Sequence, residues 1–340
     1  MTAGLVRTVL GDVDPTDLGV TYMHEHLIID SLTVARQWPH ILLTSADDAI
    51  AEVAMCRSAG VGSMVDAMPM ASGRGPERLA RVSMETGVHI VMATGLHTEK
   101  YYASLPWVGA ASVEELAGMF VDDVTVGVNA ADHLREGAHR TRHRAGIVKV
   151  ATGATGMSDF ARKTFDAAAL ASARTGVPIL THCEEGVGGM EQIELLSALG
   201  VPLSNVVMSH TDKVDDASYH TDLLDAGVNL EFDQALRQGS SAVDGTAMSL
   251  LTQIDRGFGD QLMLGTDGAR RSLWSTLGGH PGLAWLASGY RPILESVGIS
   301  LQMQEKLFEH NPQRFLTIKR ADDASDRRYE RRRDEKKERI

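Results

Sequence analysis

The sequence predicts an α/β chain folded as one (β/α)8 TIM barrel over residues 1–318. Three observations carry that reading. Eight short apolar runs, each rich in Val, Ile, Leu or Met, recur between residues 17 and 267. Longer amphipathic stretches with helix start and stop signals separate them. Most of the runs begin after Gly or Pro and end in polar residues, as buried parallel strands do. A doubly wound open sheet is the competing architecture. It usually places a glycine-rich phosphate turn after its first strand, and no GxGxxG follows the first run here.

In order, the runs are LGVTYMHEH (18–26), VGSMVDAMP (61–69), VHIVMATG (88–95), AGIVKVATG (145–153), VPILTHCEEG (177–186), NVVMSHTDK (205–213), GVNLEFDQ (227–234) and QLMLGTD (261–267). Between them, Ser45 precedes one helical stretch, Ser112 and Glu115 have the spacing of a capping box, and Ser158-Asp159 open a third helix. Gly60, Gly87, Gly176 and Gly227 stand where left-handed glycines end helices. Residues 319–340 differ from the rest. The last twenty carry eight Lys/Arg and seven Asp/Glu with almost nothing apolar, which reads as a solvated, flexible tail.

Composition narrows the function. The chain of 340 residues is 43% hydrophobic and 23% charged, with a formal net charge of −12. Such an acidic surface gives no reason to expect nucleic acid or an anionic membrane as partner. The two cysteines, Cys56 and Cys183, make no disulfide framework or zinc ribbon and fit a reducing cytoplasm. The N-terminus has no long apolar stretch, so no signal peptide is expected, and no run reaches membrane-spanning length.

The chemistry gathers at the strand ends, where barrels of this kind carry their active sites. The first run contains MHEH. On a strand, residues two apart share a face, so His24 and His26 project together with Glu25 opposite. Paired imidazoles are a poor core choice but a good half of a metal site. Lys149 lies on the fourth run, and His182, His210 and Asp267 end the fifth, sixth and eighth. Six ligand-type residues on one rim point to a metal centre. Lys149 sits inside an apolar strand, where burial lowers an amine's pKa. A neutral amine can add carbon dioxide and become a bidentate carbamate. A lysine reaching for Asp267 is the alternative, and the residues alone do not choose between them.

At these positions the chain resembles the phosphotriesterase family of the amidohydrolase superfamily, from MHEH to HNPQRFL and over about residues 5–317. The resemblance implies a binuclear centre, usually zinc. His24, His26 and Asp267 would hold the more buried metal, His182 and His210 the more exposed one, and carboxylated Lys149 (N6-carboxylysine) would join them. The implied chemistry is hydrolysis: the metals supply an activated water and polarise the substrate, and Asp267 passes a proton to the leaving group. A homodimer is usual in the family.

The loops narrow the substrate. Lys213, Arg237, Arg270 and Arg271 follow strand ends, as do Lys100, Tyr101 and Tyr102. Cations at one mouth of an acidic protein imply an anionic small molecule. The stretches THCEEGVGGMEQIELL, DGARRSLW and GGHPGLAWL resemble the branch that opens phosphorylated sugar lactones, with Lys213, Arg237 and Arg270 on the phosphate. Leu273 and Trp274 stand where that branch often has an aromatic hydroxyl. Organophosphate triesterases carry Asp and His where Lys213 and Gln234 stand here. The other readings are an N-acyl homoserine lactonase, a small N-acyl amide hydrolase, a slow triesterase, or a barrel that binds metal without turnover.

Overall fold

A computed structural model describes residues 4–134, 138–239 and 245–319. The eight apolar runs form eight parallel strands: β1 (Val20–Glu25), β2 (Val61–Asp66), β3 (His89–Gly95), β4 (Ile147–Thr152), β5 (Ile179–Cys183), β6 (Val206–Ser209), β7 (Asn229–Phe232) and β8 (Leu262–Leu264). Each pairs with its sequence neighbour. The sheet curls until β8 meets β1, where the N–H groups of Thr266 and Asp267 donate to the His24 carbonyl at 3.1 and 2.9 Å. The barrel expectation therefore holds. Gly265 permits this closure: a Cβ there would collide with Glu231 and with His24.

Helices α1 (Ala46–Ser58), α2 (Pro76–Thr86), α3 (Val113–Thr125), α4 (Asp159–Thr175), α5 (Gly189–Ala198), α6 (Ala217–Asp225) and α7 (Thr246–Asp255) follow β1 to β7 in turn. The caps fall where the residues place them. Ser45 and Ser158 accept N–H bonds at the starts of α1 and α4, and Ser112 and Glu115 close a reciprocal capping box on α3. Gly87 and Gly176 end α2 and α4 in the left-handed conformation. After β8 the chain makes short turns before the helices Tyr290–Ser296, Leu301–Glu305 and Asn311–Leu316. Residues 320–340, nearly all of the charged tail, lie outside the described residues. No described helix is long and apolar enough to cross a membrane.

Two apolar layers result. The larger lies between the strands and the helices. The smaller fills the barrel with Met23, Val65, Val91, Ile147, Leu180, Val207 and Met263. Val6 from an antiparallel hairpin (Val6–Thr8, Gly11–Val13) and Phe315 and Leu316 join this inner cluster. Ile147 and Leu180 alternate with Lys149 and His182, so period-two side-chain alternation stacks a polar layer on the apolar one. On β1 the register shifts between Tyr22 and Glu25, so Met23 enters the inner core while His24 turns towards the site. Bulges next to active sites re-aim side chains in this way.

A buried ion-pair knot ties the loop after β2 to helix α3, to the turn after α3 and to β3. Arg74 is almost wholly buried. It donates to Asp132 at 2.6 Å, to Asp123 at 2.6 Å and to the Ala93 carbonyl at 2.8 Å. Asp123 also accepts from Thr94, and Asp132 from the Gly73 N–H.

Candidate metal centre

The six expected ligand residues converge at the C-terminal rim. Lys149 Nζ lies 3.1 Å from His24 Nε2. Asp267 Oδ1 is 3.5 Å from His26 Nε2 and 4.0 Å from His24 Nε2. Ring centroids are 5.3 Å apart for His24–His26, 4.8 Å for His24–His210 and 4.5 Å for His182–His210. Gly95, paired with Lys149 across β3 and β4, makes room for it, because a Cβ there would strike the Lys149 carbonyl. His210 and Asp267 both sit in the left-handed region, at φ 67° and 43°. L-residues with a side chain rarely adopt that conformation, and such strain clusters at functional sites.

Carboxylates beneath the histidines decide which ring nitrogens face the centre. His24 Nδ1 lies 3.0 Å from Ser209 Oγ and 3.1 Å from Glu231. His210 Nδ1 lies 2.7 Å from Asp233, whose carboxylate also accepts the His210 N–H. His24, His210 and Asp233 offer a compact donor set, as do His24, His26 and Asp267. We assign the first set a supporting role, because its inward carboxylates turn the opposite nitrogens, Nε2, towards the mouth. Metal-binding histidines commonly hand their second nitrogen to a carboxylate in this way. Asp66 holds the turn after His26 by accepting from the Leu27 and Met68 N–H groups. The inner carboxylates Glu231 and Asp233, the last pushed up to about 6 by burial, were not read from the sequence as part of the site. Glu231 in the middle of an apolar strand was the available signal.

The centre fits a cation. His26 Nδ1 is buried without a hydrogen-bond partner among the described residues. Burial lowers Lys149 to about 8 and His182 to about 3, and holds His24 and His210 well below the usual imidazole range, so the rings stay neutral. Asp267 is partly buried, and although desolvation opposes it, Arg237 and the histidines hold it well below the carboxylate range. Four imidazoles and a carboxylate suit zinc or a similar divalent ion.

Glu25 turns away from the histidines and accepts from the Thr266 N–H at 3.2 Å and the Thr266 hydroxyl at 2.5 Å, bracing Asp267. Burial pushes it up to about 8, against those hydrogen bonds. A carboxyl raised in the fold contributes stability that is complete below its ordinary value and is lost as pH rises through the raised one. In chelator-treated protein, the stability advantage over Glu25→Gln is therefore expected to shrink between about pH 5 and about pH 9. Thermal melts across that range check it. A gap independent of pH would mean that the carboxyl is ionised throughout.

The expected substrate groups are more dispersed. Arg237 donates to the Asp267 carboxylate at 2.7 Å, to the Asp267 carbonyl, and to the Thr266 carbonyl at 3.0 Å. It is engaged with a ligand residue and is not free to face a phosphate. Arg271 donates to the Leu42 carbonyl. Lys213 and Arg270 are exposed, with no hydrogen bond or ion pair from their side chains among the described residues. Tyr101 packs at a tilt against Trp38 and His97, with ring centroids 4.8 and 4.3 Å away, and His97 lies 4.6 Å from His182. His97, just past β3, is a mouth residue that the sequence reading missed.

Comparisons with known proteins agree with this architecture. A sequence model of the phosphotriesterase family matches residues 4–316. An aryldialkylphosphatase from Saccharolobus solfataricus is 27% identical over 90% of this chain and 97% of its own. A phospho-furanose lactonase from Mycoplasmopsis synoviae is 28% identical over 92% of this chain and 91% of its own. The crystal structure of an amidohydrolase from Mycoplasma synoviae superposes with a TM-score of 0.90 at 25% identity, covering 99% of both chains. With its barrel, its rim histidines and a family match over nearly its whole described length, the chain belongs to the phosphotriesterase family, whose members hydrolyse ester bonds.

Proposed function

We propose that this protein is a lactonase that opens a phosphorylated furanose lactone at a two-metal centre. The observation that carries the substrate class is the pair of unpartnered cations, Lys213 three residues past His210 and Arg270 three residues past Asp267. In an acidic chain, two cations with no hydrogen-bond or ion-pair partner among the described residues, beside a reactive centre, favour an anionic substrate. The likeness to a phospho-furanose lactonase points the same way.

His24, His26 and Asp267 would hold one divalent ion, and His182 and His210 the other, with carboxylated Lys149 between them. Bound there, the metals supply a water activated at neutral pH and a Lewis acid for the ester carbonyl. The chain's own groups do the rest. Glu231 and Asp233 hold the rings of His24 and His210 in place. Asp267 is kept ionised by Arg237, so it can accept a proton and return it to the leaving alkoxide. Arg237 accordingly serves Asp267, and we move the phosphate-binding role to Lys213 and Arg270.

The test is a substrate panel on metal-loaded protein: phosphorylated and free aldonolactones, N-acyl homoserine lactones, N-acyl amino acids and neutral phosphotriesters. Phosphorylated lactones are expected to lead. Turnover led by a neutral triester or an acyl amide would displace this reading. Lys213→Ala and Arg270→Ala should each cost roughly tenfold to a hundredfold in kcat/KM on the phosphorylated lactone, the value of a charge-assisted hydrogen bond. Both should change little on the free lactone. Equal losses on the two substrates would return these residues to a structural role.

A further inference from the structure

We propose that Glu184 is a positioning residue for His182: it fixes the ring so that Nδ1 faces the more exposed metal, and thereby sets that metal's affinity. This rests on the metal-centre reading above. Glu184 is the first residue beyond β5, and its Oε2 lies 2.9 Å from His182 Nε2. A neutral imidazole that donates from Nε2 keeps its lone pair on Nδ1. The His182 ring stands between those of His97 and His210, at 4.6 and 4.5 Å, and neither neighbour hydrogen-bonds to it. Among the described residues, the carboxylate is therefore what selects the nitrogen.

His182 is held in the opposite sense to its partners. His24 and His210 turn Nδ1 towards carboxylates in the barrel floor, whereas His182 turns Nε2 towards a carboxylate at the mouth. Glu231 and Asp233 are fully buried, while Glu184 is partly exposed. Glu184 is itself held from the β3 loop, where Lys100 Nζ lies 3.4 Å from its Oε1 and also stands over the Trp38 and Tyr101 rings. Lys100, Glu184 and His182 thus form a line from the surface to one metal position. Lys100 is for this reason not a free cation for the substrate.

The test uses metal-free full-length protein titrated with Co2+ against a competing chelator, read by the visible spectrum of the bound cobalt. Wild type is expected to bind two ions. Glu184→Ala should bind the first as wild type does and the second ~10- to 100-fold more weakly, the usual cost of losing a carboxylate behind a metal-binding histidine. Glu184→Gln keeps an acceptor oxygen and should recover most of that loss. Lys100→Ala should show a smaller loss in the same direction, and none when position 184 is already alanine. Two unchanged affinities in Glu184→Ala would overturn the proposal, as would equal weakening of both sites. Fewer than two ions on the wild type would instead remove the two-metal reading, and this inference with it.

Discussion

Lys149→Ala is expected to yield a folded barrel that loses metal and activity together, with kcat/KM falling roughly 10³-fold or more, because several kcal/mol of metal-derived stabilisation would disappear. Lys149 is almost wholly buried, and among the described residues its amine has a hydrogen-bond contact to His24 Nε2 alone. Among the described residues, no carboxylate reaches it at ion-pair distance, so an ordinary salt-bridge role does not account for it. Burial brings it down to about 8. Roughly a tenth of the amine is then neutral at pH 7, enough to attack carbon dioxide. Under the proposed carbamate, the N–C bond formed would release one proton to solvent and leave an anion beside the His24 ring. Alanine removes that anion without overfilling the layer. Added short carboxylates should restore metal and turnover in part. Lys149→Arg should fail, since a guanidinium stays charged. Metal analysis with circular dichroism and kinetics decides it, and a metal-replete, fully active Lys149→Ala would rule out the carbamate.

Arg74→Met is expected to lower stability by about 3–5 kcal/mol, because buried Asp132 loses the charge that balances it and, among the described residues, buried Asp123 keeps only Arg140, at 3.1 Å. Asp123 and Asp132 are both buried, and each accepts a 2.6 Å bond from Arg74. Burial already raises Asp132 against the pull of Arg74. Without the guanidinium, one or both acids must take up a proton or open the loops to water. Arg74→Met combined with Asp123→Asn and Asp132→Asn should recover part of the loss, since neutral amides carry no unpaired charge. Denaturant melts of the three proteins test this. An Arg74→Met protein as stable as wild type would mean that water already reaches the knot.

All eight strands were legible in the sequence because buried parallel strands have a plain signature: a short apolar run closed by polar residues. The caps at Ser45, Ser112, Ser158, Gly87 and Gly176 were legible because capping depends on local chemistry. What escaped depended on distant partners. The hairpin at Val6–Val13 is too short to carry a pattern, and only contact with the inner core explains it. Arg237 looked like a free loop cation until the fold brought it to Asp267, thirty residues on in the chain. Glu231 and Asp233 were not assigned to the site, because their placement below His24 and His210 follows from the neighbouring strands. Arg74 gave no sign of its two acids, which lie 49 and 58 residues away.

The left-handed backbone at His210 and Asp267 bears on any attempt to re-engineer this centre. At those two positions, changing the donor atom also changes the bend of the chain. A side chain branched at Cβ meets a steric penalty there before any question of coordination arises, while Asn and Gly fit the bend most readily. Random libraries built at 210 and 267 will therefore be depleted by misfolding, and survivors will be biased towards Asn, Asp and Gly. His26 and His182 are not in the left-handed region and carry no such burden. A search for altered metal preference or new substrates has the most room at these two histidines and at the loop residues around the mouth.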